Sequence, residues 1–351
     1  MSALLKIKTI MKKMALLAGL GMMSFSLQAQ QKPHYSQYVL NQYILNPALT
    51  GIENYVDIKL SHRHQWVGLE GAPVTTYASV HSAIGKKDYR TSPTSYRVPG
   101  ENPRGRSYWE DYTAAEPHHG IGLQVINDRT GPLNTFSAYA TYAYHIGIGV
   151  RTSLAAGFGA GITNLSLNSS KLDFGPANPV DPAVFTSGQI NNIKPDFNAG
   201  LYLYSADFFV GLSAQQIIPQ KVVFSDNEVR RTEDGKFVPH LFATAGYRFL
   251  ISEEFNFIPS VLVKYIKPLP VQADINAKLQ YLDLAWIGAS YRTEDGFAGM
   301  LGVNISNTLN IGYSYDYTTS NLNTVSRGTH EILVGFTIGN KYGDWCPKNV
   351  W

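Results

Sequence analysis

Val271-Gln272-Ala273-Asp274-Ile275-Asn276-Ala277-Lys278-Leu279-Gln280-Tyr281 alternates without a break, with Val271, Ala273, Ile275, Ala277, Leu279 and Tyr281 apolar and every residue between them polar. Side chains switch faces at each step along a strand, so a period of two writes one oily face and one wet one. A helix, with its 3.6-residue period, cannot do this. A tilted strand of about 9–11 residues is also what crosses a bilayer's hydrocarbon core. The pattern recurs near the N-terminus, where Val56, Ile58, Leu60 and Trp66 alternate with Asp57, Lys59, Ser61, Arg63 and Gln65. It recurs again late, where Leu309, Ile311, Tyr313, Tyr315 and Tyr317 alternate with Asn310, Gly312, Ser314 and Asp316.

Segments of this kind fall at 54–66, 73–84, 119–128, 134–146, 150–163, 196–204, 206–217, 239–250, 255–266, 270–282, 284–293, 296–305, 308–318 and 328–338. An even number of antiparallel spans returns both ends of the chain to one side, the periplasm in bacterial outer-membrane barrels. The reading is therefore all-β: a transmembrane up-and-down antiparallel β-barrel of about 14 strands, with an N-terminal periplasmic or plug-like segment. Connection lengths agree, because the turns near 147–149, 205–206, 252–254, 283 and 306–307 are short while 164–195, 218–238 and 319–327 on the other side are long. The exception is 85–118, rich in Pro and mixed charge, which reads as a mobile loop on the short-turned side. A soluble β-sandwich alternates too. Tyr142, Tyr144, Tyr202, Tyr204, Tyr265, Tyr281, Tyr313, Tyr315 and Tyr317 lie near strand ends, where a barrel's aromatic girdle stands.

Composition removes other classes. Of 351 residues 44% are hydrophobic and 16% charged, too apolar for a disordered chain, and one cysteine, Cys346, excludes a disulfide scaffold. Lys6, Lys8, Lys12 and Lys13 precede the apolar run Met14 to Leu27 and the small-residue site Leu27-Gln28-Ala29, which reads as an export signal. Setting those four lysines aside leaves 25 basic against 26 acidic residues, so no nucleic-acid footprint is present. The expected organisation is a signal peptide over 1–29, an N-terminal periplasmic or plug segment over 30–53 and a barrel over 54–338. The barrel would carry 86–118 as an inserted periplasmic loop, and a periplasmic tail would follow over 339–351.

Signals for chemistry are thin. No G-x-S-x-G elbow, phosphate loop, H-E-x-x-H or C-x-x-C occurs, so no catalytic, cofactor-binding or metal residue is assigned, no cofactor is expected, and the chain is not read as an enzyme. His62 and His64 share a strand face and continue the lipid-facing row toward its polar end, where a metal is one reading and tolerated histidines the other. His118-His119 closes the insert and reads as solvated loop. Gly157, Gly159 and Gly161 sit on an inward face, either leaving room for something in the lumen or relieving curvature. Asp57, Lys59, Arg63, Asp274, Lys278, Arg292 and Asp316 form a charged lumen row that either pairs with itself, holds a plug or tunes ion selectivity.

Tyr35-Ser36-Gln37-Tyr38 and Asn46-Pro47-Ala48-Leu49-Thr50-Gly51 resemble the opening signature of the PorP/SprF family of outer-membrane proteins of the Bacteroidetes type IX secretion system. Further similarity lies in Ile126-Asn127-Asp128 with Gly131-Pro132, Ala143-Tyr144-His145, Thr244-Ala245-Gly246-Tyr247 and Pro259-Ser260-Val261-Leu262-Val263-Lys264. It continues through Gly288-Ala289-Ser290-Tyr291-Arg292-Thr293, Ile311-Gly312-Tyr313-Ser314-Tyr315-Asp316-Tyr317 and His330-Glu331-Ile332, in order across 34–338. In that family a short turn joins the second and third strands, so 86–118 looks like an insertion. The resemblance implies a multi-pass barrel in the outer membrane, in contact with its lipid and with other type IX components. It further implies aid to export or surface anchoring of a secreted partner, of adhesin or gliding type, that carries a type IX C-terminal sorting domain. A transport barrel for hydrophobic or small solutes is the alternative.

Overall fold

The computed structural model describes residues 35–86, 112–114, 116–168, 171, 189–222, 235–282, 284–293, 295–306 and 308–339. The signal and tail readings, Cys346 and most of 86–118 lie outside these. The wall is built from β1 (Val56–His64), β2 (Val74–Ile84), β3 (His118–Thr130), β4 (Leu133–Gly147), β5 (Ser153–Asn168), β6 (Gln189–Tyr204) and β7 (Phe208–Gln215). It continues with β8 (His240–Tyr247), β9 (Phe255–Ile266), β10 (Gln272–Tyr281), β11 (Ala285–Arg292), β12 (Gly296–Asn304), β13 (Leu309–Thr318) and β14 (Thr329–Ile338). Each strand pairs antiparallel with its chain neighbour, and β14 closes the ring on β1 from Val56↔Ile338 to His64↔His330. Phe249–Leu250 prolongs β8 past a break at Arg248, and Gln220–Val222 with Gly235–Phe237 forms a separate small ribbon.

The alternation decides which way each residue points. Asp274, Asn276, Lys278 and Gln280 of β10 are buried inside while Ile275 is 56% exposed outside, and Ile287 and Leu301 continue that oily surface at 62% and 50%. Such exposure on a closed barrel is the surface a bilayer covers. Pairing places Val56 and Ile338 side by side, so both barrel termini share one end, here called the terminal end. The turns at 148–152, 205–207, 282–284 and 305–308 lie there too.

Three readings are corrected. Residues 164–168 and 189–195 are not loop, since β5 and β6 pair through to Asn168↔Gln189. From Asn164 onward the alternation inverts, with Leu165 on the inward parity and Asn164 and Asn168 on the outward one, so the apolar outer row that marks the strand stops at Ile162 although the pairing continues. Trp66 lies beyond β1 in a left-handed conformation, φ 50°, and leaves the lipid-facing row. Tyr202 and Tyr204 are not girdle residues: both point inward at 0% exposure, because Leu201 and Leu203 take the lipid-facing parity of β6. Tyr265, Tyr281, Tyr315 and Tyr317 do stand on the outer face.

Depth along the outer face sets its tolerance of charge. Ile275→Arg, at mid-strand, is expected to cost about 2–4 kcal/mol in a bilayer, against about 0–1 for Tyr265→Arg near the strand end. Folding titrations in vesicles measure both, and equal costs would contradict a lipid-covered mid-strand band.

Candidate functional site: an occupied lumen

The segment from Tyr35 to Ile52 contains no charged residue and no histidine, so it enters a confined interior without bringing an ion out of water. It winds through three single turns of 3₁₀ helix, Gln37–Val39, Gln42–Ile44 and Pro47–Leu49. Asn46 starts the last of these, its side-chain oxygen accepting from Ala48 N at 2.9 Å with proline next in line. The same side chain donates to the carbonyls of Leu201 and Leu212 at 3.0 and 3.3 Å, tying the turn to β6 and β7. The segment is a plug inside the barrel, one of the two readings its sequence left open.

Small wall residues make the space. A Cβ on Gly157 would meet Pro47 O at 2.5 Å, and one on Gly120 would overlap the Thr50 carbonyl. Gly161 differs, since its Cβ would strike the Ala138 carbonyl of the neighbouring strand. The glycine row thus serves room at 157 and wall curvature at 161.

At the end opposite the termini the plug is held by the charged row. Arg63 donates to Asp316 at 2.7 Å and to Glu331 at 3.2 Å, and Arg292 to Asp274 at 3.2 Å and Asp295 at 2.8 Å. Nearer the terminal end Lys59 pairs with Asp57, which also lies 3.5 Å from His81. Ser36 is set into this network: its N–H donates to Glu331 at 2.7 Å and its hydroxyl to Asp316 at 2.6 Å, while that hydroxyl accepts from Arg63 at 2.8 Å. All seven charged residues expected inside the lumen are there, six of them in ion pairs, and Lys278 lies 5.6 Å from the Trp286 ring. Sequence reasoning missed Ser36 and Glu331. The signal for Glu331 was its inward parity on a strand with no other charge.

Toward the terminal end three imidazoles hold the plug's exit. His145 Nε2 donates to Thr50 O at 2.8 Å, His118 Nε2 lies 3.2 Å from Gly51 O, and His81 Nδ1 accepts from Gly51 N at 3.2 Å. His118 and His145 stack with centroids 4.5 Å apart. The solvated-loop reading is therefore wrong for His118, which opens β3 at 1% exposure, while His119 points outward to the Tyr142 hydroxyl. His62 also faces outward, bonded to Thr76, and no cluster of three metal-ligating groups exists among the described residues.

Between the two holds lies an apolar core. Tyr35, Tyr38, Val39, Leu40, Ile44 and Leu45 pack with Tyr77, Ile126, Tyr139, Phe242, Leu262, Trp286, Met300 and Leu333 of the wall. A cavity of about 30 Å³ remains beside Tyr43, Asp57, Lys59 and His81, room for about two waters.

Removing one partner of a buried pair leaves an uncompensated charge, so Arg63→Leu is expected to destabilise the barrel by about 3–5 kcal/mol. Loss of the Ser36 hold should also admit chymotrypsin at Tyr38 and Tyr43, read by mass spectrometry of the digest. Unchanged unfolding and an uncut plug would show the network to be idle.

Among curated proteins none resembles the chain in sequence. Among solved structures it is similar to the toluene transporter TbuX of Ralstonia pickettii, at 9% identity over 85% of this chain and 93% of that one, TM-score 0.49. It is similar to the Pseudomonas putida toluene transporter TodX at 10% identity over 87% and 94%, TM-score 0.47. The Acinetobacter baumannii outer membrane protein Omp33 gives 8% identity over 82% and 100%, TM-score 0.44. Residues 27–336 match the family described as type IX secretion system membrane protein PorP/SprF, and the chain belongs to that family.

Proposed function

We propose that this barrel works as a docking and anchoring station for one secreted partner of the type IX pathway, and that nothing passes through its lumen. The observation that carries the reading is the plug: Tyr35–Ile52 fills the interior, hydrogen-bonded to the wall at both ends and packed on an apolar core between them. A barrel so filled offers its partners rims and outer wall. The alternative, a transport barrel for hydrophobic or small solutes, needs a path where this plug stands.

Outer-membrane barrels keep their termini in the periplasm, so the terminal end is placed there and the opposite end at the cell surface. The long connections 169–188 and 216–239 then meet the secreted partner, a protein with a type IX C-terminal sorting domain and of adhesin or gliding type. The insert 86–118 and the tail 339–351 meet periplasmic components of the machine, after removal of a signal peptide over 1–29. The protein acts by binding, without chemistry of its own and without a cofactor.

Deleting the gene should abolish surface display of one partner while other type IX substrates still reach the surface, as read by surface proteomics of intact cells. Normal display of every substrate would sink the anchoring role. Loss of all of them would make the protein a core part of the machine. In planar bilayers the pure protein should carry no steady current, and a variant lacking 35–52 should.

A further inference from the structure

The outer wall is apolar along most of β1, β13 and β14, with one exception near the end opposite the termini. His330 of β14 stands directly across from His64 of β1 and, on its other side, from Tyr315 of β13. His62 lies two residues back on the same outward face, across from Ile332, which in turn faces Tyr313. Toward the terminal end that face carries Ile58, Leu60, Val334, Phe336 and Ile311. Three imidazoles from two adjacent strands therefore crown a lipid-facing surface at the level of its tyrosines.

Their hydrogen bonds leave donors pointing outward. The Tyr313 hydroxyl lies 2.7 Å from His330 Nδ1 and the Thr76 hydroxyl 2.9 Å from His62 Nδ1. A phenol donates more readily than it accepts, which leaves the proton of His330 on Nε2. Tyr315 packs its ring 5.1 Å from that of His330, and its hydroxyl donates to the backbone carbonyl of Arg327 at 3.4 Å, which puts the main chain of that exposed residue at the same rim.

The strand positions carry no acid. No outward position of β2, β1, β14 or β13 is a carboxylate, the exposed Glu70 being the one acidic residue of the two connections at this rim, and among the described residues His62, His64, His330 and Arg327 have no ion pair. A metal does not suit the patch, because among the described residues no three metal-ligating groups stand close enough to share one. We propose that it binds the anionic phosphate headgroup of a membrane lipid whose acyl chains lie along the apolar rows below. Continuity with the lipid-facing wall selects a lipid, and the uncompensated donors select an anionic one. The inference requires that the barrel spans a membrane and is independent of what the barrel anchors.

The test uses the full-length protein purified in detergent and offered phosphatidylglycerol or phosphatidylcholine with identical chains, with bound lipid counted by native mass spectrometry. The wild type should retain phosphatidylglycerol about tenfold better, the effect of one charge-assisted hydrogen bond. A variant combining His62→Gln, His64→Gln and His330→Gln should lose that preference while keeping its β-sheet circular dichroism. Equal retention of the two lipids by the wild type, or an unchanged preference in the variant, would overturn the proposal. Displacement of the lipid by excess inorganic phosphate would overturn it in favour of a free-phosphate site. Should the triple variant fail to fold, a photoreactive headgroup on phosphatidylglycerol decides the matter: cross-links on 313–330 or 62–64 support the site, and cross-links elsewhere reject it.

Discussion

Desolvation of charge governs how this barrel is filled. Burying an ion costs several kcal/mol unless it is paired, and the lumen contains Asp57, Lys59, Arg63, Asp274, Arg292, Asp316 and Glu331 at under one-tenth exposure. The wall solves this by itself, with Arg63, Arg292 and Lys59 paired to carboxylates of their own or other strands. A plug that added a charge would upset that balance. Tyr35–Ile52 adds none, the first ion after it being Glu53, buried at 2%, and it meets the Arg63–Asp316–Glu331 network through Ser36 and the Gln37 N–H.

Much of this was legible because a transmembrane strand is written in alternate residues. The inward faces of β1, β10 and β13 follow from parity alone, and with them the inward aim of Asp57, Lys59, Arg63, Asp274, Lys278 and Asp316. Where the alternation lost its chemistry, legibility failed. In the far parts of β5 and β6 the outer row loses its apolar alternation, so Asn164, Asn191 and Lys194 read as loop although they lie in paired strands. Tyr202 and Tyr204 misled because tyrosine suits both a girdle and a buried stack. Only the parity set by Leu201 and Leu203 separates the two.

The apolar core inside the lumen was the least legible feature. An inward row is expected to be polar, yet Tyr77 sits among Thr75, Ser79 and His81, and Leu333 among Thr329, Glu331 and Thr337. Each such residue is an exception in its own strand, and only the closed ring shows that the exceptions face one another across the plug. The glycines behave likewise. Gly120 and Gly157 stand on different strands, and what they share is the passage of residues 47 to 50 between them.

How the plug is held decides what kind of device the barrel can be. Each fully buried aliphatic side chain contributes roughly 1.5–3 kcal/mol, and Val39, Leu40, Ile44, Leu45, Leu49 and Ile52 are all buried. Withdrawing the segment would expose these together with the wall residues they cover, including Tyr77, Phe242 and Leu262. Against that, the hydrogen bonds at Ser36, Thr50 and Gly51 matter less as energy than as register, since they set where the neutral segment stops at each end. A plug retained by its own hydrophobic core behaves as part of the folded barrel. The rims and the outer wall are then where side chains can respond without the interior having to come apart.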